Sequence, residues 1–109
     1  RAPREFKQYV PASIDSLPAL DWHAGADAPP SQPDGDPFAV HFINRTEQTV
    51  VLWWITPDGG RKHYGEIAPA KAREQQARPG AVWMLADPDG KPLGWFRVGD
   101  RTARALVPE

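Results

Sequence analysis

The sequence predicts an all-β domain, a seven-stranded antiparallel β-sandwich, and three features of residues 38–109 carry that expectation. Apolar and polar residues alternate over short runs, the runs recur about every eight to twelve residues, and turn chemistry separates them with no helical periodicity between. Phe38–Asn44 alternates, with Phe38, Val40 and Phe42 on one side and His41 on the other. Thr49–Thr56 is β-branched or aromatic on both faces, the pattern of a central strand. Arg61–Ile67 and Lys71–Arg78 are polar at alternate positions and read as strands near an edge. Ala81–Asp87, Pro92–Val98 and Thr102–Val107 complete the set. Pro57-Asp58-Gly59 and Pro88-Asp89-Gly90 repeat one turn, with proline setting φ at the first corner and glycine taking positive φ.

Residues 1–37 have a different texture and form an N-terminal arm followed by a linker, leaving 38–109 as the sandwich. Ala24–Pro37 is proline-rich, small and polar, with little to bury. Before it, Phe6, Tyr9, Val10, Ile14, Leu17, Leu20 and Trp22 favour docking onto the domain. Ser13 is placed to cap a helical turn over Asp15–Leu20, which Pro18 keeps short.

Composition narrows the function. A chain of 109 residues holds one modest core, and a net charge of −1 lacks the basic field that nucleic acid requires. No apolar run approaches the ~20 residues of a membrane-spanning helix, so no membrane partner is expected. The absence of cysteine removes disulfides, thiolate nucleophiles and thiolate metal ligands. Arginine in preference to lysine, with abundant alanine and proline, is the bias of a GC-rich bacterial gene.

Catalysis finds no support. Ser13, Ser16 and Ser31 all precede the strands, so no Ser/His/Asp grouping falls within them. His23, His41 and His63 are dispersed and no metal spacing occurs among them, so neither metal nor cofactor is implied. Asp34 with Asp36, and Asp87 with Asp89, sit in turns where aspartate serves the backbone. Glu66 and Asp58 show nothing that lifts them above surface charge as a glycosidase pair. Trp54, Tyr64 and Trp83, by contrast, come from three different strands, and aromatics assembled that way suit a binding platform. Trp53 alternates to the opposite face and is expected in the core, and Trp95 and Phe96 divide between two faces. Asn44 and Arg45, at a strand exit, are expected to hold a loop by hydrogen bonds.

Val40-His41-Phe42-Ile43-Asn44-Arg45-Thr46, Val50–Ile55, Asp58-Gly59, Tyr64, Pro69, Gly80 and Val82-Trp83-Met84-Leu85 together resemble the β domain of the von Hippel–Lindau family, from about Val40 to Asp87 with little gapping. The resemblance implies a seven-stranded sandwich that binds a hydroxylated proline peptide, extended beside one strand. It implies aromatic walls at Trp54, Tyr64 and Trp83. The serine and histidine that grip the prolyl hydroxyl in the family fall at Ala77 and Ala81 here. Neither can hydrogen-bond through its side chain, and an unpaired buried hydroxyl costs on the order of 1–3 kcal/mol, so proline is expected in place of hydroxyproline. The family's helical, adaptor-recruiting domain has no counterpart in these residues, so a ubiquitin-ligase role is not implied.

The expected partner is therefore an extended, proline-containing peptide or protein segment, with backbone groups from Lys71–Gln76 and polar side chains from Gln76 and Arg78 beside the slot. The same aromatics would equally serve a carbohydrate-binding or accessory module of a larger enzyme. A ligand-free spacer would bury all five tryptophans. The arm also carries Leu17-Pro18-Ala19-Leu20, which raises the expectation that it occupies its own or a neighbour's site and mediates self-association.

Overall fold

A computed structural model describes residues 17–108, and those residues form an all-β sandwich with eight strands and no helix. Phe6, Tyr9, Val10, Ser13, Ile14, Asp15 and Ser16 lie outside the described residues. The strands are β1 (His23–Ala24), β2 (Phe38–Asn44), β3 (Val50–Ile55), β4 (Arg61–Ile67), β5 (Ala72–Ala77), β6 (Val82–Ala86), β7 (Pro92–Arg97) and β8 (Ala103–Val107). One sheet has the order β1-β7-β6-β3-β4 and the other β5-β2-β8. Seven of these are the strands expected from alternation. The eighth, β1, comes from the arm, where two paired residues leave no periodicity to detect. Pairing is antiparallel except between β2 and β8, which run parallel because the last strand crosses from the five-stranded sheet to the other before it pairs.

The strand sequences follow from their places. β3 and β6 lie inside the five-stranded sheet, and all five residues of β6 are buried. Such strands must be apolar on both faces. The inner face carries Val50, Leu52, Trp83, Leu85 and Phe96 against Val40, Phe42, Ala105 and Val107 of the facing sheet. The outer face carries a second cluster of Ile55, Val82, Met84 and Ala86, against which Trp53 and Trp95 are half-buried. Trp53 thus faces away from Trp54, as alternation requires, but it packs beneath the surface of the outer face and not in the main core.

The segment expected to be a loose linker is a strap. Ala28 packs on the outer cluster, and Ser31 is 1% exposed, its hydroxyl accepting from the Val82 N–H (2.6 Å) and donating to the Val82 carbonyl (3.3 Å). The N–H groups of Gln32 and Asp34 donate to the carbonyls of Gly80 and Pro79. The strap approaches so closely that a Cβ on Gly80 would overlap the Gln32 carbonyl. Backbone hydrogen bonds hold it, and composition does not reveal those.

The described part of the arm is extended where a helical turn was expected. Ala19 bridges Arg104 in parallel, Leu20 N–H donates to the Arg104 carbonyl (2.9 Å), and Arg104 N–H to that of Pro18 (3.0 Å). Leu20 and Trp22, two residues apart, face the core together, with Trp22 5.2 Å from the Phe96 ring and over Gly94, where a Cβ would overlap the indole. Pro18 serves this extended path because proline disfavours helix at the residue before it.

Asn44 ties the end of β2 to two crossovers. Its side-chain oxygen accepts from the N–H (2.9 Å) and hydroxyl (2.7 Å) of Thr46, and its amide donates to the carbonyls of Gln48 (2.9 Å) and Ile67 (2.8 Å). Its backbone pairs with Ala70 and Lys71 in the β4–β5 connection. Arg45 contributes its backbone N–H to Val107, and its side chain is exposed. Asn44→Ala removes these bonds from a fully buried site and is expected to lower unfolding free energy by roughly 2–4 kcal/mol; a urea titration showing a loss below about 1 kcal/mol would refute this role.

The two Pro-Asp-Gly turns are built alike, with Gly59 at φ 90 and Gly90 at φ 92. Asp87 accepts from the N–H groups of Asp89 and Lys91, so its carboxylate is committed to the turn. Asp58 accepts from the Thr56 hydroxyl and the Gly60 N–H, and these bonds hold its carboxyl below the ordinary value. A depressed native pKa contributes stability that is complete above the unfolded pKa and is lost as pH falls through the native one. Carbon-13 NMR titration should find the Asp58 midpoint below the usual carboxylate range, returning toward it in Thr56→Val.

Candidate functional site

A sandwich has two flanks, and they differ here. The arm bonds to β8 and, through β1, to β7, closing one flank. On the other, β4 and β5 are joined by a short turn, and among the described residues they pair only with β3 and β2 respectively, leaving one backbone edge of each unpaired.

Trp54, Tyr64 and Trp83 lie toward this free flank. Trp54 and Trp83 are cross-strand partners of β3 and β6, and Tyr64 meets Trp83 edge to face at 4.9 Å. Trp83 is 3% exposed and forms a floor, while Trp54 and Tyr64 are half-buried and reach solvent. The Trp83 indole N–H is buried without an acceptor, as is that of Trp53. An unpartnered buried donor costs on the order of 1–3 kcal/mol.

A β-bulge produces this placement. Leu52 pairs with Gly65 and Trp53 with His63, leaving Tyr64 as the extra residue in β4. Strict alternation would send Tyr64 to the outer face with Glu66; the bulge brings it onto Trp83 and sends His63 out to Trp53, 5.2 Å away. Gly65 follows at φ 148, and a Cβ there would lie 2.6 Å from Nη1 of Arg73. The missing side chain is therefore the space in which the Arg73 guanidinium rests, across the gap between the sheets. Arg73 also donates from Nε (3.3 Å) and Nη2 (3.2 Å) to Oε1 of Gln75. Lys62 Nζ stands 5.6 Å from the Tyr64 ring centre.

Ala77 and Ala81 are 3% and 2% exposed and belong to the same apolar cluster as Trp83. Burial of Ala77 sets the phase of β5: Arg73, Gln75 and Ala77 turn inward, and Gln76 is exposed on the other face, opposite Ala39 in register. Arg78 Nη1 donates to the Gly35 carbonyl (3.2 Å), an anchor for the strap. Five of the seven expected residues (Trp54, Tyr64, Ala77, Ala81 and Trp83) thus come together, and Gln76 and Arg78 do not join them. Arg73 and Gln75 were missed, although their two-residue spacing from Ala77 was the available signal.

The expectation that Leu17–Leu20 fills the slot of its own domain is overturned. Leu17–Leu20 lies beside β8, at the far edge of the three-stranded sheet from β5, because Leu20 and Trp22 bury into the flank on that side. A cleft of about 580 Å³ lies elsewhere, lined by Trp22, Thr46, Gln48, Leu93 and Val107. The β4–β5 flank is a shallow trough between two strand edges, with Trp83 beneath and Trp54 and Tyr64 at its rim. Among the described residues, no group of three or more His, Asp or Glu could hold a metal ion.

The VHL beta domain family model matches residues 32–93, more than half of the chain. The chain belongs to the VHL β-domain family. No curated protein matches it alongside that model. VHL β domains are non-enzymatic protein-recognition folds, and the match spans β2 through β6, the strands that build the trough.

If Tyr64 shields the Trp83 floor, Tyr64→Ala should shift tryptophan emission to the red and increase acrylamide quenching, with a stability loss including about 0.5–1.5 kcal/mol from the ring pair. Unchanged quenching would show that Tyr64 does not cover Trp83.

Proposed function

We propose that this VHL β domain is a non-enzymatic recognition module that takes an extended, proline-containing segment of a partner protein along the free edge of β5. The observation that carries the reading is an unpaired strand edge bordering a trough with Tyr64 and Trp54 at its rim and Trp83 beneath. Backbone hydrogen bonds to β5 would supply affinity without sequence preference, and the aromatic rim would choose the residue that sits against it. A proline ring suits such a rim because it is apolar, and a segment already extended loses little entropy on binding.

Buried methyl groups at Ala77 and Ala81 support proline over hydroxyproline, since neither offers a side-chain partner to a prolyl hydroxyl. A carbohydrate reading on Trp54, Tyr64 and Trp83 has less support because Trp83 is 3% exposed and offers no open face to a sugar, and the outer-face tryptophans do not replace it. Arg61 stands 4.6 Å from the Trp53 ring centre, and His23 stacks on Trp95 at 4.1 Å, occupying faces a sugar would need.

Titrating paired proline and hydroxyproline peptides of otherwise identical sequence, followed by tryptophan fluorescence and calorimetry, tests the proposal. The proline peptide should bind at least as tightly as its hydroxylated twin, and Trp54→Ala should weaken it by about tenfold or more. Tighter binding of the hydroxylated peptide would overturn the proline preference. No saturable binding of either would overturn the peptide reading.

A further inference from the structure

The trough carries a charge that the fold does not neutralise. Arg73 is half-buried, its guanidinium lodged over Gly65 and held by Gln75, and among the described residues it has no carboxylate partner. Lys62 adds a second cation at the Tyr64 rim. The nearby acids face elsewhere: Glu74 pairs in register with His41 on the outer face of its sheet, and Glu66 pairs with Val51 on β3. A net charge of −1 for the whole chain makes this local positive lip a matter of placement and not of composition.

Arg73 is also an expensive residue to hold in this way. A long cationic side chain loses rotamer freedom when fixed, and glycine at position 65 costs a strand backbone entropy and packing. The guanidinium fork is suited to a carboxylate, which it binds by charge-assisted hydrogen bonds. Resting on the proposed peptide reading, we propose that the trough selects an acidic segment, with a carboxylate of the partner seated on Arg73.

Strand geometry sets the register. Side chains of an added strand face the trough at every second residue, and Arg73 is four residues from Ala77, about 13 Å along β5 at ~3.3 Å per residue. A proline alongside Ala77 therefore puts the acid four positions away along the peptide, before or after it according to strand direction.

The test uses short synthetic peptides with one proline and one glutamate at that offset on either side, their glutamine counterparts, and peptides with the glutamate moved by one residue. Wild-type protein should bind one glutamate peptide about tenfold tighter than its glutamine twin, with the advantage falling as salt rises and vanishing on the one-residue shift. Arg73→Gln should erase that advantage, weakening the glutamate peptide far more than its glutamine twin with the melting temperature little changed, whereas Trp54→Ala should weaken both peptides. Glutamate and glutamine peptides binding equally, or Arg73→Gln weakening both alike, would overturn the acidic preference and leave the proline reading standing. Binding of neither peptide would overturn both.

Discussion

Unpaired strand edges organise this molecule. A sandwich of two open sheets exposes backbone donors and acceptors along its outer strands, and each such edge invites another strand. The chain satisfies β7 and β8 with its own N-terminal segment, through the β1 ladder and the bonds between Pro18, Leu20 and Arg104. Among the described residues it leaves the outer edges of β4 and β5 unpaired. Residues 18–24 are already committed to the opposite flank.

The free flank carries the features by which natural sheets discourage indiscriminate pairing. Its strands are polar at alternate positions, a bulge interrupts β4, and cations stand at the rim. The same features shape the chemistry of the flank. The bulge turns Tyr64 toward Trp83, and the glycine beside it admits Arg73, so one local irregularity places both an apolar wall and a charge. Stability comes from elsewhere: the inter-sheet core, the outer cluster under the strap, and the Asn44 network joining two crossovers. Separation of this kind lets the trough vary in chemistry while the sandwich around it stays intact.

Much of the architecture was legible from residue patterns because period and turn chemistry are local properties. The apolar run at Val50–Ile55 identified a central strand, and the repeated Pro-Asp-Gly sequences marked turns that the structure closes in the same way twice. Asn44 could be read as a loop anchor from its place at a strand exit. The strap was not legible: Ser31 and Gln32 are ordinary linker residues, and their worth lies in bonds to Val82 and Gly80 roughly fifty residues away. Nor was the arm's path, since a two-residue strand has no pattern.

For the site, the residues marked Trp54, Tyr64 and Trp83, and the resemblance to the VHL β domain marked Ala77 and Ala81 as positions without side-chain hydrogen bonding. They could not settle that Trp83 lies beneath the other two, that Gln75 turns inward and Gln76 outward, or that Arg73 enters the trough. Those outcomes depend on the phase of β5 and on one extra residue in β4. A strand's alternation is written in its own residues, but which face meets the opposing sheet is decided by pairing and packing across the whole sandwich.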